Sequence, residues 1–180
     1  MKVLISDESQ KIIKFNRKLE KALDVKVMVK NNEVTIDGNP EDEYIAEKVI
    51  DAISFGFPLE VALLVKKEDF LFEILSIKDH THRKDLGVIR ARIIGRKGRT
   101  LGTLNNLTEC HFEIKNNEIG IIGSPEYIEN AQKAVISIIQ GSKQANVYGY
   151  LEKHHVEPIL DLGLKEPKKG KKRNAKKSKD

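Results

Sequence analysis

The chain repeats itself at an offset of 85 residues, and this more than any other feature limits what it can fold into. Lys30-Asn31-Asn32-Glu33 recurs as Lys115-Asn116-Asn117-Glu118. Ile36, Gly38, Pro40 and Glu41 recur as Ile121, Gly123, Pro125 and Glu126. Ala46, Lys48, Ile53 and Gly56 recur as Ala131, Lys133, Ile138 and Gly141. A repeat of this period is one structural unit built twice. A chain of 180 residues is long enough to give each copy its own core.

The second copy is the easier to read. Phe70 to Ile77 (FLFEILSI) is apolar and free of breakers, which predicts a strand. A basic segment, Arg83 to Arg92, carries Leu86, Ile89 and Ile93 at helical spacing. After the next helical stretch, Thr100 to Leu107, two strands (His111 to Lys115 and Glu118 to Ile122) flank Asn116-Asn117. That pair suits a tight hairpin, because asparagine tolerates positive φ. Ser124-Pro125-Glu126 opens a last helix with Ser as N-cap; its apolar face is Tyr127, Ala131, Ala134, Val135 and Ile138, and Gly141 closes it.

Between the first two helices lies Arg92-Ile93-Ile94-Gly95-Arg96-Lys97-Gly98-Arg99. Glycines let a backbone pass close to a partner, and the cations call for an anionic one. The charge distribution supports this. Residues 1–82 carry a net −4, 83–99 a net +6, 100–164 a net −4 and 165–180 a net +7. All the positive excess sits at the loop and in the tail, the footprint expected for a polyanion. Gly120-Ile121-Ile122-Gly123 shares the glycine spacing but lies in an apolar strand and is read as an accident.

The first copy lacks the loop. Glu8 to Leu23 reads as one amphipathic helix with Ile12, Phe15, Leu19 and Leu23 along it, so this half is expected to serve a structural or protein-binding role. Lys11, Lys14, Arg17, Lys18 and Lys21 on that helix are either a solvated face or a minor backbone contact. Phe55-Gly56-Phe57-Pro58-Leu59-Glu60 joins the halves with many apolar groups, so the halves should pack together rather than swing on a tether.

The order strand, helix, glycine loop, helix, strand, strand, helix, with I-I-G-x-x-G running on to H-F-E-I, resembles a type I KH domain. The fold class expected is therefore α+β: two tandem KH-like (βααββα) domains packed together, the first without the GxxG loop. The expected divisions are 1–56 for the degenerate domain, 57–69 for a short helical joint, 70–155 for the KH domain and 156–180 for a C-terminal extension with a disordered basic tail. The joint I-S-F-G-F-P-L-E-V-A-L-L-V and the segment Gly141-Ser142-Lys143-Gln144-Ala145-Asn146-Val147-Tyr148-Gly149-Tyr150-Leu151 narrow the likeness further. They resemble the partner-of-Nob family of small-subunit ribosome assembly factors, in particular its archaeal members. The resemblance implies binding to the precursor of small-subunit rRNA near its 3′ end, with the Nob PIN-domain endonuclease and a translation initiation factor as further partners.

Physical reasoning and the resemblance together nominate one RNA site. Gly95, Arg96, Lys97 and Gly98 form the phosphate-binding loop, and Arg90, Arg92 and Arg99 extend its field. Ile93, Ile94, Leu101 and Ile114 are candidate walls of an apolar groove for bases, each of which could instead be core, and Phe112 is a weaker candidate read more readily as core. The chain has no tryptophan and only 6% aromatic residues, so stacking platforms are not expected. Single-stranded RNA is favoured over duplex. The rival readings are a protein-interaction adaptor and a general RNA-binding factor in RNA decay.

Other classes find no support in the sequence. No P-loop, nucleophile motif or carboxylate pair stands out, so no enzyme and no cofactor are expected. His80-x-His82 and His154-His155 lack a completing ligand set, and no metal is expected. No run of 18 apolar residues predicts a membrane span, and the N-terminus lacks a signal-peptide core. The single cysteine, Cys110, is expected to be a buried thiol in a reducing, cytoplasmic setting. The basic tail reads either as a solubilising segment or as a non-specific phosphate contact.

Overall fold

The computed structural model describes residues 1–67 and 69–154. The expectations for His155 and for the basic tail concern residues outside that range. The chain runs β1 (Lys2–Ile5), α1 (Ser9–Leu23), β2 (Lys26–Lys30), β3 (Glu33–Asp37) and α2 (Pro40–Phe55). The joint is a short helix, α3 (Leu59–Ala62), continued by a 3-10 turn over Leu63–Lys66. Then follow β4 (Leu71–Ser76), α4 (Leu86–Ile94), α5 (Arg99–Thr108), β5 (His111–Lys115), β6 (Glu118–Gly123), α6 (Pro125–Gln140) and α7 (Gln144–Lys153).

Each half builds a three-stranded antiparallel sheet of the same topology, β1-β3-β2 and β4-β6-β5. The hairpins close in the same register, Lys30 opposite Glu33 and Lys115 opposite Glu118. The repeat reaches the backbone. Asp24, Asn31 and Gly56 have positive φ, and so do Glu109, Asn116 and Gly141, 85 residues on. Both long helices end in the same way. Gly56 N donates to Ile53 O and Phe57 N to Ala52 O; Gly141 N donates to Ile138 O and Ser142 N to Ser137 O. This is the Schellman arrangement, in which a glycine in the left-handed region satisfies the last carbonyls. Ser124 stands at the N-cap position as expected, but its side chain makes no capping bond.

The halves differ between their first and second strands. The first half fits α1 alone there, and Ile12, Leu19 and Leu23 bury its apolar stripe. The second half fits α4, the loop and α5.

The halves are packed together. The aromatic rings of Phe55, Phe57 and Phe72 sit 5.7, 5.9 and 6.1 Å apart, and Ile122 of β6 belongs to the core of the first half. A Cβ on Gly120 would lie 2.7 Å from the Phe57 ring and 2.8 Å from the Phe55 ring, so this glycine is required where two elements meet. Lys115 Nζ donates to Ser54 O at 2.7 Å across the same junction. The central strand β6 is thus covered on both faces, by its own helices and by the end of the first half. All of its residues after Glu118 are buried. The second core gathers Leu75, Ile89, Leu104, Ile119, Val135, Ile138 and their neighbours beneath α4–α7.

Candidate nucleic-acid interface

Helix α4 must end at Gly95, because the backbone there turns to φ 74° and ψ 173°. Gly95 N still donates to Ala91 O at 2.8 Å. The chain then makes one 3-10 turn over Arg96–Gly98 and enters α5 at Arg99. Three residues in this short stretch have positive φ: Gly95, Lys97 (55°) and Gly98 (75°). Only a sharply turned corner needs that many.

The two glycines do different work. A Cβ on Gly95 would lie 2.7 Å from both the backbone N and the Cβ of Thr100, and closer still to its hydroxyl. Gly95 is therefore fixed by the protein's own packing, against the first turn of α5. Around Gly98 nothing lies within 4 Å of such a Cβ. Its surroundings are open, and it is Gly98 that leaves the backbone bare to a ligand. In sequence Gly95 and Gly98 are equivalent members of one motif; their surroundings separate them.

Some loop amides are occupied. Gly98 N donates to Gly95 O at 3.2 Å and Arg99 N to Arg96 O, which closes the turn on itself. The field at the corner comes from the first turn of α5, whose amides have no intrahelical acceptor, and from the side chains. Arg96, Lys97 and Arg99 are all exposed. None of the three makes a side-chain hydrogen bond or ion pair among the described residues. No other described part of the chain covers them.

The remaining nominated residues divide. Ile94 is 39% exposed beside the loop, and Leu101 and Ile114 are half-buried at the edge of the second core. Ile93 is fully buried and packs inward from α4, so it cannot wall an open groove. Phe112, at 5% exposure, is likewise core. Arg90 reaches from α4 to the hairpin, where Nη1 donates to Asn116 O at 2.8 Å. Arg92 is turned away from the loop, and Nη2 donates to Ser142 O at 2.8 Å. Its charge contributes to the field, but its guanidinium braces the turn between α6 and α7.

Sequence reasoning missed the part played by the start of α7. Gln144 Nε2 donates to Arg92 O at 3.1 Å and to Thr100 Oγ1 at 2.9 Å. Val147 and Leu151 of the same helix are buried, and Tyr148 packs half-buried against the second core. The segment around Val147-Tyr148-Gly149 thus packs on the domain body. Cys110 is also buried, and desolvation pushes its thiol up to about 11. Among the described residues no three His, Cys, Asp or Glu side chains gather where they could hold a metal ion, and no helix is long and apolar enough to cross a membrane.

Residues 71–156 match the model for the second KH domain of PNO1, a eukaryotic-type KH domain (KH domain type I). The chain thus carries a KH domain of the PNO1 type in its second half. Its relatives include a KH domain-containing protein of Methanocaldococcus jannaschii, 27% identical over 142 residues, covering 75% of this chain and 63% of that protein. The RNA-binding protein pno1 of Drosophila melanogaster is 32% identical over 137 residues, covering 72% of this chain and 57% of that one. This chain therefore spans less than two thirds of the length of either relative. Among solved structures, Dim2p of Pyrococcus horikoshii superposes with a TM-score of 0.76 at 27% identity, over 84% of this chain and 98% of that one. A chain from the complex of a/eIF2α, aDim2p and rRNA of the same organism gives 0.76 at 27% identity, over 86% and 93%.

Proposed function

We propose that this protein belongs to the PNO1 family and binds single-stranded RNA at the Gly95–Gly98 corner, on small-subunit precursor rRNA near its 3′ end, during ribosome assembly in the cytoplasm. The observation that carries the reading is the set of three exposed cations, Arg96, Lys97 and Arg99, gathered around a bare glycine with no partner among the described residues. Charges held together without partners repel one another, and a phosphodiester relieves that repulsion. Bases leaving the loop would meet the apolar edge offered by Ile94, Leu101 and Ile114. The relatives named as RNA-binding and pre-rRNA-processing proteins, and the neighbour solved with rRNA, support the substrate class.

The test is binding of an oligonucleotide carrying the 3′ end of small-subunit rRNA, read by fluorescence anisotropy. Arg96→Asp combined with Lys97→Asp should weaken it by at least about tenfold, since two phosphate contacts are each worth about 1 kcal/mol or more. Three neutralised phosphates predict a slope of log K against log salt near −2 for a single strand. Unchanged affinity in the double variant would remove the loop from the account.

A second reading is an adaptor that docks on a translation initiation factor or on the Nob endonuclease. The neighbour solved together with a/eIF2α favours keeping the first of these partners in view. Capture of purified initiation factor after nuclease treatment, with no measurable RNA affinity, would support it over the first.

A further inference from the structure

We infer that Gln144 is a positioning residue for the RNA loop, acting through Thr100 and the end of α4 and not by touching RNA. This rests on the reading of Gly95–Gly98 as the RNA contact. The loop joins two helix ends, and each end is held by the same amide group from a distant part of the chain. Arg92 O is one of the last carbonyls of α4, which no residue of its own helix can satisfy. Thr100 is in the first turn of α5, 4% exposed, with its hydroxyl against Gly95. A side-chain amide has two N–H donors, and Gln144 spends one on each. A carbonyl can only accept, so the amide must present its nitrogen to Arg92 O.

The reverse tie comes from Arg92, whose guanidinium donates to Ser142 O, two residues before Gln144. The start of α7 and the end of α4 are thus cross-linked in both directions. Gln144 itself is at the first position of α7, whose Val147 and Leu151 are anchored in the second core. The consequence is specific. The spacing between the end of α4 and the start of α5 sets how far apart Arg96, Lys97 and the open Gly98 stand. Without the amide, Arg92 O and the Thr100 hydroxyl lose a partner, and the loop loses the side-chain tie that runs through Thr100 to the start of α7.

The experiment is a cycle in the full chain. Gln144→Met keeps size and helix propensity while removing both donors. It is measured alone and in the Arg96→Asp, Lys97→Asp background, with the 3′-end rRNA oligonucleotide at low salt. Alone it should weaken binding by about fivefold to tenfold, the range of one or two hydrogen bonds, and make the salt slope shallower. In the loop-broken background it should change little, because it acts only through the loop. Amide hydrogen exchange in the free protein should quicken over Gly95–Arg99 and stay unchanged in β6. Thr100→Ser, which keeps the accepting hydroxyl, should bind nearly as well as the unmodified chain. An equal loss in both backgrounds would make Gln144 an independent contact and overturn the inference. No loss in Gln144→Met, while the loop variant is weakened, would overturn it and leave the loop reading standing. A loop variant that binds normally would overturn both.

Discussion

The two loop glycines should respond to alanine in opposite ways, and the contrast tests the assignment of their roles. At Gly95 the substitution meets two penalties. The backbone conformation, φ 74° with ψ 173°, is one that only glycine adopts freely, at about 1–3 kcal/mol for other residues. The new methyl would also sit 2.7 Å from the backbone nitrogen of Thr100, which cannot move without shifting α5. Overpacking of that kind costs about 1–3 kcal/mol more. Gly95→Ala should therefore lose about 4 kcal/mol, a large share of the roughly 5–15 kcal/mol that holds a domain folded. At Gly98 only the left-handed conformation, φ 75° with ψ 8°, is penalised, at about 1–2 kcal/mol, and the methyl projects into open space. For a chain of this size about 1 kcal/mol shifts the melting temperature by roughly 2–4 °C. Gly98→Ala should thus stay folded and melt a few degrees lower, yet bind the rRNA oligonucleotide about tenfold more weakly, because the methyl holds the phosphate off the turn. Urea denaturation gives the first quantity and anisotropy the second. Equal stability losses at the two positions, or full affinity in Gly98→Ala, would refute the division of labour.

Two further outcomes follow from the packing. Gly120→Val places its methyls into the Phe55 and Phe57 rings, and should separate the unfolding of the two halves into distinct urea transitions at a cost of about 1–3 kcal/mol or more; a single unchanged transition would contradict the packed junction. Cys110, held by burial at a pKa of about 11, contributes stability that is complete below the ordinary thiol value of 9.0 and is lost as pH rises through 11. Alkaline denaturation monitored by circular dichroism should accordingly be milder in Cys110→Ala, and the native thiol should resist alkylating reagents at neutral pH.

The repeat made much of this architecture legible. Asn31 and Asn116, Gly56 and Gly141, and Pro40 and Pro125 are local signals whose physics does not depend on the rest of the chain, and each stands where its type is needed. The loop was legible for a similar reason, since glycine spacing and clustered cations are visible in one dimension. The sequence could not distinguish glycines that serve packing from those that serve a ligand. Gly95 is settled by Thr100, five residues away around a corner, and Gly120 by Phe55 and Phe57 from the other half. The same holds for the arginines. Arg90, Arg92 and Arg99 read alike as extensions of the loop's field, but Arg92 turns toward Ser142 and Arg90 toward Asn116, while Arg99 is exposed and makes no side-chain bond among the described residues. Ile93 was misplaced because an apolar residue before a glycine loop fits a groove or a core equally well; its position on the stripe with Ile89 decides for the core.

The structure also explains why the corner can tolerate an unfavourable residue. Lys97 holds φ at 55° and ψ at 34°, a conformation that costs a lysine about 1–2 kcal/mol and a glycine almost nothing. A chain tuned for stability alone would carry glycine there. Strain of this size persists only where the surroundings over-determine the backbone. Here they do so from two sides. Gly95 packs on Thr100, and Thr100 is held by Gln144 at the start of α7. Beneath them, β6 is clamped between its own helices and the end of the first half, so the platform under α4 and α5 cannot relax to release the turn. The half without a glycine loop thus packs behind the half that has one: Phe55 and Phe57 cover Gly120, and Ile122 joins the first core, on the face of β6 opposite the helices that display the strained, cationic corner to solvent.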